Sequence, residues 1–171
     1  EYIYNSFLEQ YKGDPNEAYA FFRKCEVYYL QIPLDLWILP SVSMKEQKFI
    51  KLAYQCYKNF LINYSSSYFS IIASKYLNQL EKYLFEHEIY VIEFYRKKGK
   101  KDATIIRLKQ LFEKYPIFSK QERFYFWLIE ALVESNLLTD AEKYYNKYLL
   151  DFPGGSLKTR IEILLKKEKR G

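Results

Sequence analysis

Two stretches of this chain repeat each other at an interval of 37 residues. Tyr95, Gly99, Leu108, Leu111 and Pro116 return as Leu132, Asn136, Tyr145, Tyr148 and Pro153: large residue for large, turn former for turn former, proline for proline. Residues 86–116 read as a long helix ending near Lys98, a turn at Gly99, and a second helix closing at Tyr115 and Pro116. The end of that unit occurs three times. Residues 57–65 (YKNFLINYS), 108–116 (LKQLFEKYP) and 145–153 (YNKYLLDFP) align without gaps. Each has a large apolar residue, another three positions later, and a closing aromatic before Ser or Pro. One helical hairpin cannot bury both of its faces, so the pattern requires neighbours stacked on it, with the recurring aromatic filling the seam.

Composition agrees with a chain of helices. Its 171 residues suit one domain or a piece of a larger one, and 5 Gly with 5 Pro are too few for the many tight turns of a sandwich or barrel. The 19 Tyr and 13 Phe suit contacts between helices. A formal charge of +6 attracts anionic partners without selecting among nucleic acid, lipid and acidic protein. No apolar run reaches the roughly 18 residues of a membrane-spanning helix, and no signal peptide is visible. The chain opens at Glu1 inside a helical pattern, and we read it as part of a longer protein.

The spacing predicts an all-α solenoid of about eight helices, similar to the tetratricopeptide (TPR) repeat, whose period is roughly 34 residues. Residues 1–13 end one repeat. Residues 14–67 form a repeat with a long insertion at 33–45, and 68–118 a repeat whose first helix is elongated. Residues 119–155 form the last repeat, and 156–171 a terminal helix that frays into lysines. Helix starts are expected at Asp14-Pro15 with Glu17, and at the Ser43/Glu46, Ser119/Glu122 and Thr139/Glu142 capping boxes. In the elongated helix a single stripe through Phe69, Ile72, Tyr76, Leu80, Tyr83, His87, Val91 and Phe94 should face the core.

Several residues stand out as candidates for contacts. Arg107 lies on a helix whose apolar stripe is Ile105, Leu108, Leu111 and Phe112; its guanidinium suits either a partner's carboxylate or an internal bridge to the neighbouring hairpin. Arg96, Lys98 and Lys101 belong to a dense basic run around Gly99. That run either complements the negative end of a helix dipole or forms a patch for an acidic partner. Trp37 sits in an apolar loop between Pro33 and Pro40, which either tucks against its own helices, the favoured reading, or fills a partner's groove. The basic residues of the tail, Lys166 onward, read as a solvated end, with anionic lipid as the alternative. Cys25 and Cys56 fall on helices expected to be antiparallel partners. Two buried thiols are the expectation, and a disulfide the alternative in an oxidising compartment. A single His, His87, gives no metal site and reads as a core residue. Without a phosphate loop, a Ser–His–Asp set or HExxH, the chain is read as a non-enzyme without cofactor.

Residues 86–91 (EHEIYV), Phe94-Tyr95, Gly99, Ile106-Arg107 and Tyr115-Pro116, with the long helix ahead of them and the break at 64–67, resemble the BamD family. These are TPR lipoproteins of the outer-membrane barrel-assembly machine. The insertion at 33–45 fits the family's central repeat. The resemblance covers most of the chain and implies a scaffold on the periplasmic face of the outer membrane, lipid-anchored through an N-terminal Cys that is not in this sequence. Implied partners are the POTRA domains of BamA, other barrel-assembly lipoproteins and nascent outer-membrane proteins. In the family an arginine in the helix after the Gly turn pairs with an acidic residue of the last POTRA domain, and Arg107 matches that position. The family's first repeats are not in this sequence, and the basic tail of this chain has no match in the family. Two other functions compete: a TPR adaptor that holds a peptide in its concave groove, and a nucleic-acid binder. The latter ranks last because the basic residues are spread over helix ends without a stacking platform.

Overall fold

The computed structural model describes residues 1–33, 44 and 46–168. Trp37, most of its apolar loop, and Ser43 lie outside the described residues. All regular structure among the described residues is helical: α1 (Tyr2–Gln10), α2 (Glu17–Tyr29), α3 (Lys48–Asn63), α4 (Ser70–Lys97), α5 (Lys101–Lys114), α6 (Glu122–Glu134), α7 (Leu138–Asp151) and α8 (Lys158–Glu168). The all-α, TPR-like architecture of eight helices expected from the repeat is present.

The repeat is visible in the backbone. Four helices end on an aromatic residue whose N–H donates to the carbonyl four positions earlier: Tyr11 to Phe7, Tyr64 to Phe60, Tyr115 to Leu111 and Phe152 to Tyr148, at 2.8–3.0 Å. The turns between paired helices match as well. Lys100 N–H reaches Tyr95 O at 3.0 Å and Leu137 N–H reaches Leu132 O at 2.9 Å, each across five positions. The residue inside each turn is left-handed, with φ of 64° at Gly99 and 58° at Asn136. Glycine takes that conformation freely and asparagine tolerates it, which is why these two types occupy equivalent places.

Two compact units divide the chain, Glu1–His87 and Glu88–Gly171, and the boundary falls within α4. In the first, α2 and α3 pack through Phe22, Ile50, Ala53, Tyr57 and Phe60, joined by Ala73 and Leu80 of α4. Tyr57 is fully buried, with ring centroids 5.4 Å from Tyr76, 5.9 Å from Phe22 and 6.4 Å from Tyr29. Edge-on and tilted rings at these distances add to the gain from burial alone. Cys25 and Cys56 form a disulfide, with Cα atoms 5.3 Å apart. This corrects the expectation of two thiols: α2 and α3 approach closely enough at these positions for the bond.

In the second unit α6 is the most buried helix, with Phe124, Leu128, Ile129 and Leu132 fully enclosed, and it packs against α5, α7 and α8. Ile105, Leu108 and Leu111 turn the inner face of α5 towards the core as the spacing predicts. The expected stripe holds in part: Leu80 is buried and Phe69, Tyr76 and Tyr83 pack against the first unit's core, but Ile72 and Phe94 are exposed, and Ala73, Phe85 and Ile92 are buried instead. The two halves of this 28-residue helix serve different units, so one stripe does not run its length.

The capping boxes are also corrected. Helix α3 begins at Lys48, after Glu46, and neither α6 nor α7 has a side-chain cap at its start. Ser119 Oγ is buried without a hydrogen-bond partner, and Glu122 works elsewhere. The Glu122 carboxylate accepts from Tyr148 Oη at 2.7 Å, Leu157 N at 3.0 Å and Ser156 Oγ at 3.3 Å. These donors, led by the Tyr148 hydroxyl, hold its carboxyl below the usual carboxylate range. Glu122 thus ties the turn before α8 to the start of α6. The same junction requires glycine at 155, where a methyl group would strike the Tyr148 hydroxyl and lie 2.7 Å from Cζ and 2.9 Å from Glu122 Oε2. Tyr148 is fully buried and has little room to move. Gly155→Ala should therefore cost about 1–3 kcal/mol, the usual range for overpacking. Urea denaturation measures it; an unchanged midpoint would refute the clash.

Candidate partner-binding site

The basic run around Gly99 is organised by the end of α4, the start of α5 and the outer face of α6. Because the left-handed turn at Gly99 reverses the chain, Arg96 and Lys101 lie on opposite sides of the turn but reach the same helix. The Arg96 guanidinium donates to Glu130 Oε2 at 2.6 Å and stacks over Trp127, 4.3 Å from the ring centroid. Lys101 Nζ donates to the carbonyl of Glu134 at 3.0 Å and lies 3.5 Å from its carboxylate. Glu130 and Glu134 are one turn apart on α6 and present one face. The last turn of α6 adds the negative end of its dipole. Together with Thr104 and Trp127 these side chains line a cleft of about 180 Å³. Lys98, just past α4, is exposed, its ammonium 6.0 Å from the Phe94 ring centroid.

Arg107 does not join this cleft. Its guanidinium donates to Glu88 Oε2 on α4 at 3.1 Å, with side-chain exposures of 37% for Arg107 and 17% for Glu88. The internal bridge weighed from the sequence therefore exists, but inside the α4–α5 hairpin rather than to a neighbouring one. A pair this exposed contributes about 0–1 kcal/mol. It uses one of five guanidinium donors, so it orients Arg107 without consuming its binding capacity. Of the five residues singled out in the sequence, Arg96 and Lys101 share the cleft. Lys98 and Arg107 stand apart from it, and Trp37 is outside the described residues.

Glu88, Trp127, Glu130 and Glu134 were not singled out as partners. The i, i+4 spacing of Glu130 and Glu134 was the available signal, but only the fold shows which cations they meet. Among the described residues no group of His, Cys, Asp and Glu is placed to hold a metal ion, and no helix is long and apolar enough to cross a membrane.

The family model YfiO, described as outer membrane lipoprotein, matches residues 2–148. This chain belongs to the YfiO family. The match runs from α1 to Tyr148 in α7, so both helices around the Gly99 turn, Arg107 and the α6 carboxylates lie within it, whereas α8 lies beyond. No curated protein matches the chain. Membership in the YfiO family associates this helical protein with the outer membrane and makes protein contacts there the natural use of its surface.

Proposed function

We propose that this YfiO-family chain is a non-catalytic scaffold of the outer-membrane β-barrel assembly machinery, built as a run of TPR repeats. In this reading it is held by a lipid anchor at the periplasmic face and binds a POTRA domain of BamA alongside other lipoproteins of the machine. It thereby aids insertion of nascent outer-membrane proteins. The observation that carries the reading is the family match over residues 2–148, within which Arg107, the residue the sequence resemblance equates with the family's arginine, lies in the helix that follows the Gly99 turn. Glu88 presents it in one orientation at little energetic cost. A POTRA carboxylate then has a planar donor pair to meet, which lysine cannot supply. The Cys25–Cys56 bond supports an oxidising compartment such as the periplasm.

Calorimetric titration with the cognate BamA periplasmic region tests this. Arg107→Glu should weaken binding at least tenfold, and Arg107→Lys should weaken it less. Both variants should melt within a few degrees of the parent, since the lost pair is partly exposed. Glu88→Gln removes the internal bridge alone and should leave binding within about twofold. Normal binding by Arg107→Glu would sink the site assignment.

A further inference from the structure

Three guanidinium groups of the second unit lie against rings of α6. Arg96 of α4 stands 4.3 Å from the centroid of Trp127, and Arg160 of α8 stands 4.4 Å from that of Phe126. Arg123, on α6 itself, lies 4.5 Å from the Phe124 centroid and 5.7 Å from that of Trp127. A flat, weakly hydrated cation gains from resting on a ring while its edge stays open to an acceptor. Positions 123, 126, 127 and 130 share one side of a helix, so these groups gather on the same side of α6.

The three arginines are not equivalent. Arg96 is engaged by Glu130, as Lys101 is by Glu134. Glu122, next to Arg123 in sequence, is taken by Tyr148, Ser156 and Leu157. Arg123 and Arg160 make no ion pair among the described residues, and Glu93, one turn before Arg96, pairs with neither. Arg123 is also held from behind. Its Nε donates to Gln121 Oε1 at 3.0 Å, and Gln121 Nε2 donates to the carbonyl of Phe118 at 2.7 Å. The rings set the plane of this guanidinium and Gln121 sets its direction. The N–H groups on its two terminal nitrogens remain unpartnered among the described residues, on an exposed side chain.

We propose that Arg123 anchors the side-chain carboxylate of an Asp or Glu on a protein partner laid along α6. The two carboxylate oxygens meet the two terminal nitrogens of Arg123, and an apolar neighbour in the partner lies against the half-buried Trp127. Net charge does not select this ligand, because Glu93, Glu122, Glu130 and Glu134 bring the surroundings near balance. Donor geometry selects it. Those same acids make a polyanion or an anionic lipid surface a poor match, whereas one carboxylate needs only the fork. A guanidinium already fixed in place loses little freedom on binding. The contact is separate from Arg107, which lies on α5 against Glu88, and stands or falls without it.

Chemical-shift mapping of backbone amides and arginine Nε–H groups tests the proposal with two end-blocked peptides, acetyl-Gly-Ser-Glu-Leu-Ser-Gly-amide and the version with Gln in place of Glu. At millimolar concentration the Glu peptide should shift the Arg123 Nε–H signal and the amides of Gln121 and Trp127, and the Gln peptide should not. Arg123→Lys keeps the charge and loses the fork; it should melt within a few degrees of the parent and abolish these shifts. Gln121→Met removes the acceptor behind Arg123 and should reduce them at least twofold. Lys114→Gln, loss of an exposed charge elsewhere, should leave them unaltered. The proposal is overturned if neither peptide shifts Arg123, if both do so alike, or if Arg123→Lys responds as the parent does. Vesicles of phosphatidylglycerol that shift Arg123 where the Glu peptide does not would also overturn it, in favour of a lipid contact.

Discussion

Replacing Tyr57 with alanine is expected to lower the unfolding free energy by about 3–5 kcal/mol, the range for removing a fully buried aromatic ring. Tyr57 has no exposed surface and touches three rings from two other helices, Phe22 and Tyr29 of α2 and Tyr76 of α4. The cavity left behind has walls fixed by those rings, so it cannot collapse cheaply. Tyr57→Phe should behave in the opposite way. The Tyr57 hydroxyl is buried without a hydrogen-bond partner, and burial drives its pKa well above the ordinary tyrosine range. Removing an unpaired polar atom while keeping the ring should leave stability unchanged or raise it by about 1 kcal/mol. Urea denaturation of the two variants separates ring from hydroxyl. A Tyr57→Phe loss as large as that of Tyr57→Ala would show that the hydroxyl has a partner and would overturn this account of the core.

Loss of the Cys25–Cys56 bond is the second large effect. The two residues are 31 apart, so the bond closes a loop that includes the apolar insertion. Restricting such a loop in the unfolded chain stabilises the fold by about 3–4 kcal/mol in the chain-entropy model. Reduction, or the double change Cys25→Ala with Cys56→Ala, should lower the melting temperature by on the order of 10 °C. Alanine is the appropriate replacement because both sulfurs lie in an apolar core, where a serine hydroxyl would add its own penalty. Alkylation of the unreduced protein should label neither cysteine. Labelling of both, or a melting temperature indifferent to reductant, would contradict the bond.

The partners of Arg107 and Glu122 show why some features were readable in advance and others were not. The helices and their closing aromatics were legible because helix formation and the i to i−4 bonds that end a helix are local. Tyr64, Tyr115 and Phe152 carry the same backbone bond wherever the pattern occurs. The Gly99 and Asn136 turns were legible for the same reason. Capping was misread because the sequence offers a donor and an acceptor three residues apart, while the fold supplies better partners farther away. Glu122 looks like a local cap for α6, yet its hydrogen bonds reach Tyr148, Ser156 and Leu157, 26 to 35 positions on. The α4 stripe held at Tyr76, Leu80 and Tyr83 but not at Ile72 or Phe94, because a helix shared by two units answers to two sets of neighbours.

The amino-acid sequence alone determined that this chain is helical, that its helices come in repeated hairpins, and where most of them stop. Those properties follow from residue spacing along one backbone and from turn residues with particular backbone freedom. Only the tertiary structure decided that the two cysteines join, that Arg107 meets Glu88, and that Arg96 and Lys101 share one face of α6. Each residue along a helix turns the next side chain by about 100°, as 3.6 residues per turn require. Which partner a side chain reaches therefore depends on how neighbouring helices are rotated and docked, and no local pattern encodes that.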